Sequence, residues 1–309
     1  MRQRNLYPSQ PRESALQTKP GVAKAPTHIT DKSIRLPGGH TGFLLIHGLG
    51  GTPMEMRYVA QGLARAGYTV HVPQLAGHCG SDEDLRGTGW ADWYQTVEDE
   101  HRLMRNKCDR VVAGGLSMGA ILALHHAAQH PQDVSALALY APSLWLDGWG
   151  IPWYASFFAL ITQKWLADYI PFAERHPWGI KDPRLRALVE QAITSGDSSQ
   201  AGIAALPGSL MLELRWLIRK VQCEIRGVRQ PALIVHPRND DRASLRNLDY
   251  LQNNLGGVTH TVVLDDSYHV VTLDRQRQLV LDRTLAFLSL LEKKKTITID
   301  EDDVSEWLR

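Results

Sequence analysis

Ser117 stands in Gly115-Leu116-Ser117-Met118-Gly119, directly after the apolar run RVVAG and before a helical pattern. A strand, a tight turn and a helix in that order are the setting in which a G-x-S-x-G segment presents a serine hydroxyl as a nucleophile. A serine hydroxyl attacks poorly at neutral pH. A neutral imidazole must take its proton, and a carboxylate must fix the imidazole tautomer and stabilise the imidazolium. His269 in DDSYHVVTLD and Asp240 in HPRNDDRAS each follow a β-like run. Both side chains should therefore project at the carboxyl edge of a parallel sheet, where open sheets of this kind place their sites. The chain order Ser, Asp, His is the one this arrangement demands. Asp241 competes with its neighbour for the carboxylate role, and Asp265 and Asp266 are more distant alternatives.

A second element is His47-Gly48-Leu49-Gly50-Gly51, at the end of the opening apolar run. A glycine-rich loop there can aim a backbone N–H at a developing oxyanion. Leu49 and Met118 are the expected amide donors, with Gly50 as the alternative to Leu49. His47 reads as shaping its own loop, and His125-His126, on the helix after Ser117, as structural or solvent-facing. GHCGSDEDL reads as a turn near the cleft, and its Cys79 has no evident base. The chain has no H-E-x-x-H, no Cys/His cluster and no repeated carboxylate spacing, so no metal is implied. No G-x-G-x-x-G follows the first strand, so no dinucleotide cofactor is implied either.

The elements that must hold these residues alternate. GFLLIHG is followed by a helical pattern near Pro53 to Ala66, then YTVHVPQL, a helix near Asp92 to Asn106, RVVAGGL, a helix from Met118 to Gln129, and SALALY. Short apolar runs between amphipathic helices signal βαβ units around a mostly parallel sheet. The runs are nearly all apolar, as strands buried on both faces should be. Met56, Val59, Ala60, Leu63 and Ala64 fall on one helical stripe. The rhythm resumes with PALIVHPRND, a helix carrying Leu245, Leu248 and Leu251, the strand THTVVLDD, and a closing helix through Leu279, Leu285 and Leu288.

Residues 143–228 interrupt it and read as an inserted helical cap. One cap helix begins at Asp182-Pro183, a capping residue followed by proline at the first helical position. Another runs near Ser209 to Ile225. Trp145, Trp149, Trp153, Tyr154, Phe157, Phe158 and Trp165 crowd the segment, either as an apolar acyl pocket or lid, or as the cap's own core. The core is assigned to 41–142 and 229–292. Residues 1–40, basic and proline-rich at the start, read as a disordered arm without a secretory signal's apolar stretch, and 293–309 as a charged, solvated tail.

Hydrophobic residues make up 43% of the 309 residues, charged residues 22%, and the net charge is +1, which argues against a nucleic-acid binder. The longest apolar run, Trp153 to Ile161, is far shorter than the roughly 20 residues a membrane-spanning helix needs. Cys79, Cys108 and Cys223 are widely separated and odd in number, which fits a reducing, cytoplasmic setting.

With these pieces assembled, the chain resembles the α/β-hydrolase superfamily, and more closely its microbial carboxylesterases and monoacylglycerol-lipase-like members. LLIHGLGGTPMEMR, GGLSMGA, IVHPRNDD and DSYHVVTLD carry the likeness. The resemblance implies an α/β-hydrolase fold with an inserted cap, and it supports Asp240, because the family's acid usually sits at the first aspartate of that loop. It also implies the Leu49 and Met118 amides as the oxyanion donors. HPRNDDRAS lacks the proline common after the family's acid, and Cys79 stands where a second glycine is frequent. The implied activity is hydrolysis of a small-molecule ester with an apolar acyl group through an acyl-serine intermediate, without a cofactor. Thioester, amide or acyl-acceptor substrates are the alternatives, and a non-catalytic ligand-binding protein is a third. No stable membrane insertion is expected, although the cap's aromatic content leaves transient membrane contact open.

Overall fold

The computed structural model describes residues 29–173, 176–194, 202 and 205–306. Its centre is a seven-stranded sheet in the order β1-β3-β2-β4-β5-β8-β9, formed by β1 (Ile34–Leu36), β2 (Thr41–Ile46), β3 (Thr69–Val72), β4 (Arg110–Leu116), β5 (Val134–Tyr140), β8 (Ala232–Pro237) and β9 (Thr259–Leu264). Every pairing is parallel except β1 with β3. Along β4 and β5, Val111, Ala113, Leu137 and Leu139 enter one apolar layer while Val112, Leu116, Ala136, Ala138 and Tyr140 enter the other. Side chains alternate faces along a strand, so burial on both faces explains why these runs are apolar apart from Arg110 and Ser135 near their starts.

Helices α1 (Arg57–Arg65) and α9 (Arg277–Glu306) cover one face through Val59, Leu63, Val280, Leu281 and Phe287. The other is covered by α3 (Trp90–Arg105), α4 (Met118–Gln129) and α7 (Gly208–Glu224). The remaining helices are α2 (Asp82–Arg86), α5 (Lys164–Ala167), α6 (Pro183–Thr194) and α8 (Arg246–Asn254). The short strands β6 (Phe172–Ala173) and β7 (Ala205–Leu206) pair with each other away from the main sheet. Among the described residues no helix is long and apolar enough to cross a membrane.

Three boundaries differ from the sequence-based expectation. The arm assigned to residues 1–40 is ordered at its end: β1 pairs with β3, and Arg35 donates two hydrogen bonds, of 2.7 and 2.8 Å, to the buried Glu100 carboxylate on α3. Residues 1–28 of that arm lie outside the described residues. Second, α7, expected within the cap, buries Leu210, Leu214, Leu217 and Val221 against the same layer as α3 and α4. It therefore serves as the crossover helix that returns the chain to β8, and the insertion proper ends before Gly208. Third, part of the GHCGSDEDL turn is helical, because Ser81 and Asp84 form a reciprocal capping box at the start of α2. At the C-terminus α9 continues to Glu306, and residues 307–309 of the expected tail fall outside the described residues.

Candidate active site

The turn from β4 to α4 forces Ser117 into φ 56°, ψ −116°, a backbone state that costs about 1–3 kcal/mol and persists only where its surroundings impose it. They do so by close packing. A Cβ on Gly119 would lie 2.1 Å from the Ile46 carbonyl oxygen, and one on Gly115 would lie 2.5 Å from that oxygen and from the Gly119 carbonyl carbon. Only glycine lets β2, β4 and α4 approach this closely, and the result lifts Ser117 to the carboxyl edge of the sheet.

Asp240 and His269 reach that edge on the loops after β8 and β9. The ring Nδ1–H of His269 donates to both Asp240 oxygens, 2.8 Å to Oδ2 and 3.0 Å to Oδ1. Asp240 Oδ1 also accepts the Arg242 and Ala243 amides at 2.7 and 3.0 Å. This pairing fixes the tautomer with Nε2 unprotonated, as a general base requires. Burial alone would push both groups toward neutrality. The charge and hydrogen bond of the partner outweigh it, leaving Asp240 below the ordinary carboxylate value of 3.8 and His269 above the ordinary imidazole value of 6.5.

Asp241 is separated from Asp240 by function. Its carboxylate accepts the Gly179 amide at 3.1 Å and the His269 backbone amide at 3.3 Å. It holds the histidine loop and the cap together and does not meet the imidazole. Asp265 and Asp266 pair instead with Arg238, Arg275 and Lys181.

The Ser117 hydroxyl is hydrogen-bonded to Ser143 Oγ at 3.1 Å rather than to His269. Ser143, fully buried, donates in turn to the Ala141 carbonyl at 3.2 Å. The structure thus unites Asp240 with His269 and turns the Ser117 hydroxyl to Ser143. Ser143 escaped the sequence reading. Its place just beyond β5, at the sheet's carboxyl edge, was the available signal.

Around the glycine-rich loop, the Gly48 amide donates to Glu55 at 2.9 Å, the Gly51 amide to the Gly48 carbonyl at 3.2 Å, and the Gly50 amide to His78 Nε2 at 3.2 Å. Gly50, the alternative donor, is therefore occupied. Among the described residues no acceptor takes the amides of Leu49 or Met118. His47 accepts the Leu75 amide through Nε2 at 3.2 Å and faces the Gly48 carbonyl through Nδ1 at 2.9 Å. Burial, aided by the neighbouring His78, pulls its pKa down to about 3. It is a neutral brace for the loop. Cys79 lacks a base, and burial raises its thiol to about 12. Among the described residues, the His and carboxylate side chains close enough to share an ion are Glu98, His126 and His130, away from Ser117 on the α3–α4 seam.

The cap roofs this arrangement. A Cβ on Gly50, which has φ +70°, would lie 2.5 Å from Leu206 Cδ2 on β7, and one on Gly179 would lie 3.2 Å from His269 Cβ. Asp274, buried after the histidine loop, accepts the Lys181 and Asp182 amides from the cap and the Tyr268 amide beside His269, at 2.8, 2.9 and 2.7 Å. The cap's aromatics split between two roles. Trp145 packs on Tyr250 and under the Arg246 guanidinium, and Phe158 packs on Phe172. Trp149, Trp153, Phe157 and Trp165 are exposed, together with Leu160 and Tyr169.

Known proteins share this architecture. A profile of the family described as serine aminopeptidase, S33, matches residues 41–276. A thermostable monoacylglycerol lipase of Bacillus sp. (strain H-257) is 29% identical over 81% of this chain and 91% of its own length. A carboxylesterase of Bacillus subtilis (strain 168) is 24% identical over 85% and 98%. A solved structure of a metagenome-derived lipolytic enzyme superposes with a TM-score of 0.70 at 26% identity, covering 83% of this chain and 96% of that one. A soluble variant of the monoglyceride lipase of Saccharomyces cerevisiae gives 0.67 at 14% identity, covering 89% and 96%, and shares the fold. The profile match covers most of the chain and spans the Ser117 elbow and both loops that carry Asp240 and His269, so the chain belongs to the serine aminopeptidase S33 family of α/β-hydrolases.

Proposed function

We propose that the chain hydrolyses carboxylic esters through an acyl-Ser117 intermediate, with His269 as general base and acid and Asp240 as the carboxylate that orients it. The observation that carries this reading is the buried Asp240–His269 pair, with Nδ1–H held on the carboxylate at the same sheet edge as a serine on a strained elbow. For attack, Ser117 rotates from Ser143 to Nε2 of His269. Its oxygen adds to the ester carbonyl as Nε2 takes the proton, and the amides of Leu49 and Met118 receive the oxyanion. The imidazolium, stabilised by Asp240, returns the proton to the leaving alkoxide. Water then attacks the acyl-enzyme in the same sense and frees the acid.

Apolar acyl esters of the monoacylglycerol type are the proposed substrates, taken from a lipid surface touched by the exposed cap aromatics. Trp149, Trp153, Phe157, Leu160, Trp165 and Tyr169 lie within one stretch of chain, and amphipathic aromatic rings suit a headgroup interface. Large exposed apolar patches of this kind mark contact surfaces. A cytoplasmic location is part of the proposal, supported by the free state of Cys79, Cys108 and Cys223. The test is fluorophosphonate labelling of wild type and Ser117→Ala, together with turnover of p-nitrophenyl esters of graded length and the matching anilides. Labelling and ester turnover lost together in the variant support the mechanism, and folded wild-type protein that does not label refutes it. An optimum at acetate would refute the lipid-like substrate alone.

A further inference from the structure

On the face of the sheet covered by α3 and α4, well away from Ser117, the two helices bring a second set of chemically capable side chains together. Glu98 and His101 are three residues apart on one face of α3, while His126 lies in the last turn of α4 and His130 is the residue that caps its carboxyl end. The rings of His126 and His130 have centroids 4.6 Å apart, those of His101 and His126 4.4 Å, and those of His101 and His130 5.5 Å. Glu98 Oε1 lies 2.9 Å from His130 Nε2, and His101 Nδ1 meets His126 Nε2 in a hydrogen bond. Ligand atoms of Glu98, His126 and His130 all fall within 4.8 Å of one another.

We infer that Glu98, His126 and His130 form a binding site for a divalent transition ion of the zinc class, with water completing its coordination. Two imidazoles and one carboxylate are a donor set suited to Zn2+ and its neighbours. His101, 4% exposed, closes the inner side of the cluster by meeting His126 Nε2 through Nδ1. Nearby cations are engaged elsewhere. Arg102 pairs with Asp99 at 3.0 Å, and Arg105 donates to the Asp109 carbonyl at 2.7 Å and lies 3.6 Å from Asp133. His126 and His130 sit at the carboxyl end of α4, where the helix dipole attracts positive charge.

His126 lies nine residues along α4 from Ser117, about 13 Å at 1.5 Å per residue. The ion would clasp α4 to α3 and take no part in the acyl chemistry. The experiment uses full-length, untagged protein freed of metal with a chelator. It is titrated with ZnCl2 by calorimetry and with Co2+ by visible absorption, alongside Glu98→Gln, His130→Gln and His40→Gln. His40 is exposed and lies outside the cluster, so its variant controls for adventitious surface binding. Wild type and His40→Gln should bind one Zn2+, show the intense bands of low-coordinate Co2+, and melt at a higher temperature with zinc than without. Glu98→Gln and His130→Gln should lose affinity by more than about 100-fold, beyond the roughly 10- to 100-fold that removing an outer-shell partner costs. Melting in chelator and fluorophosphonate labelling identify any variant that has not folded, and the remaining variant then decides. Zinc binding that is absent from wild type, or equal in wild type and both cluster variants, overturns the site.

Discussion

Asp240→Asn tests the catalytic reading most sharply, because the structure dictates which way the new amide must face. Asp240 Oδ1 accepts the Arg242 and Ala243 amides at 2.7 and 3.0 Å. In the variant that position must remain an oxygen, since an NH2 there would confront two N–H donors. Losing two such bonds costs about 3 kcal/mol at roughly 1.5 kcal/mol each. The NH2 therefore occupies the Oδ2 position, 2.8 Å from His269 Nδ1, and donates to that nitrogen. His269 is driven into its Nε2–H form, which cannot accept the Ser117 proton. A bias of about 3 kcal/mol leaves roughly one molecule in a hundred in the competent tautomer. Loss of the carboxylate charge opposite the imidazolium adds a comparable factor, for a total on the order of 10^4 in kcat, the scale that removing a triad carboxylate produces elsewhere. The assay is kcat on a short soluble ester, with circular dichroism and melting to confirm the fold. Asp241→Asn serves as the paired control. Its carboxylate accepts the amides of Gly179 and His269 and lies 3.7 Å from the Arg242 guanidinium, away from the imidazole, so the variant should lose stability and at most about 100-fold in rate. The reasoning is refuted if Asp240→Asn stays within tenfold of wild type, or if Asp241→Asn is the more damaging of the two.

The acid limb of kcat/KM should have its midpoint above 6.5, because His269 must be neutral to act and its pairing with Asp240 outweighs burial in raising its pKa; a midpoint at or below 6.5 would contradict that balance. Ser143→Ala should raise kcat by about two- to tenfold, since it removes a ground-state hydrogen bond of about 0.5–1.5 kcal/mol that holds Ser117 away from His269. A loss of rate in presteady-state acylation would show instead that Ser143 assists the reaction. Glu100 is held down to about 2 because Arg35 and His71 outweigh its burial, so its stabilising effect is present above pH 4.5 and fades as pH falls toward 2. Glu100→Gln should accordingly lower stability by about 1–3 kcal/mol at neutral pH in denaturant melts, with the difference from wild type vanishing near pH 2.

What could be read from the sequence follows from how local each determinant is. The Ser117 elbow lies within five consecutive residues whose glycines are demanded by backbone approach, so composition and order reveal it directly. The Asp182-Pro183 helix start is equally local, and α6 begins there. Asp240 and Asp241 are adjacent, and no pattern in HPRNDDRAS distinguishes them. Their roles diverge only through partners at His269 and Gly179, 29 and 62 residues away. The three residues of β1 carry no usable period, and their order depends on β3 and on a carboxylate 65 residues further on. The same holds for α7, whose amphipathic pattern was plain while its partner, α4, was not. The α3–α4 histidines were hidden for a related reason: a ligand set split across two helices shows in sequence only as two ordinary pairs.

The adjacency of Asp240 and Asp241 has a consequence for how members of this family can diverge. On the proposed mechanism one residue orients the base, and the next grips the cap through Gly179, which would hinge chemistry and substrate selection on a single peptide unit. A cap transplanted from a relative would have to deliver a backbone N–H to Asp241 or leave a buried carboxylate beside the histidine loop short of a donor. The cap is thus exchangeable only as a piece that carries its own fastening, and new specificities are most readily built in the exposed aromatic stretch between Trp149 and Tyr169, beyond that fixed point.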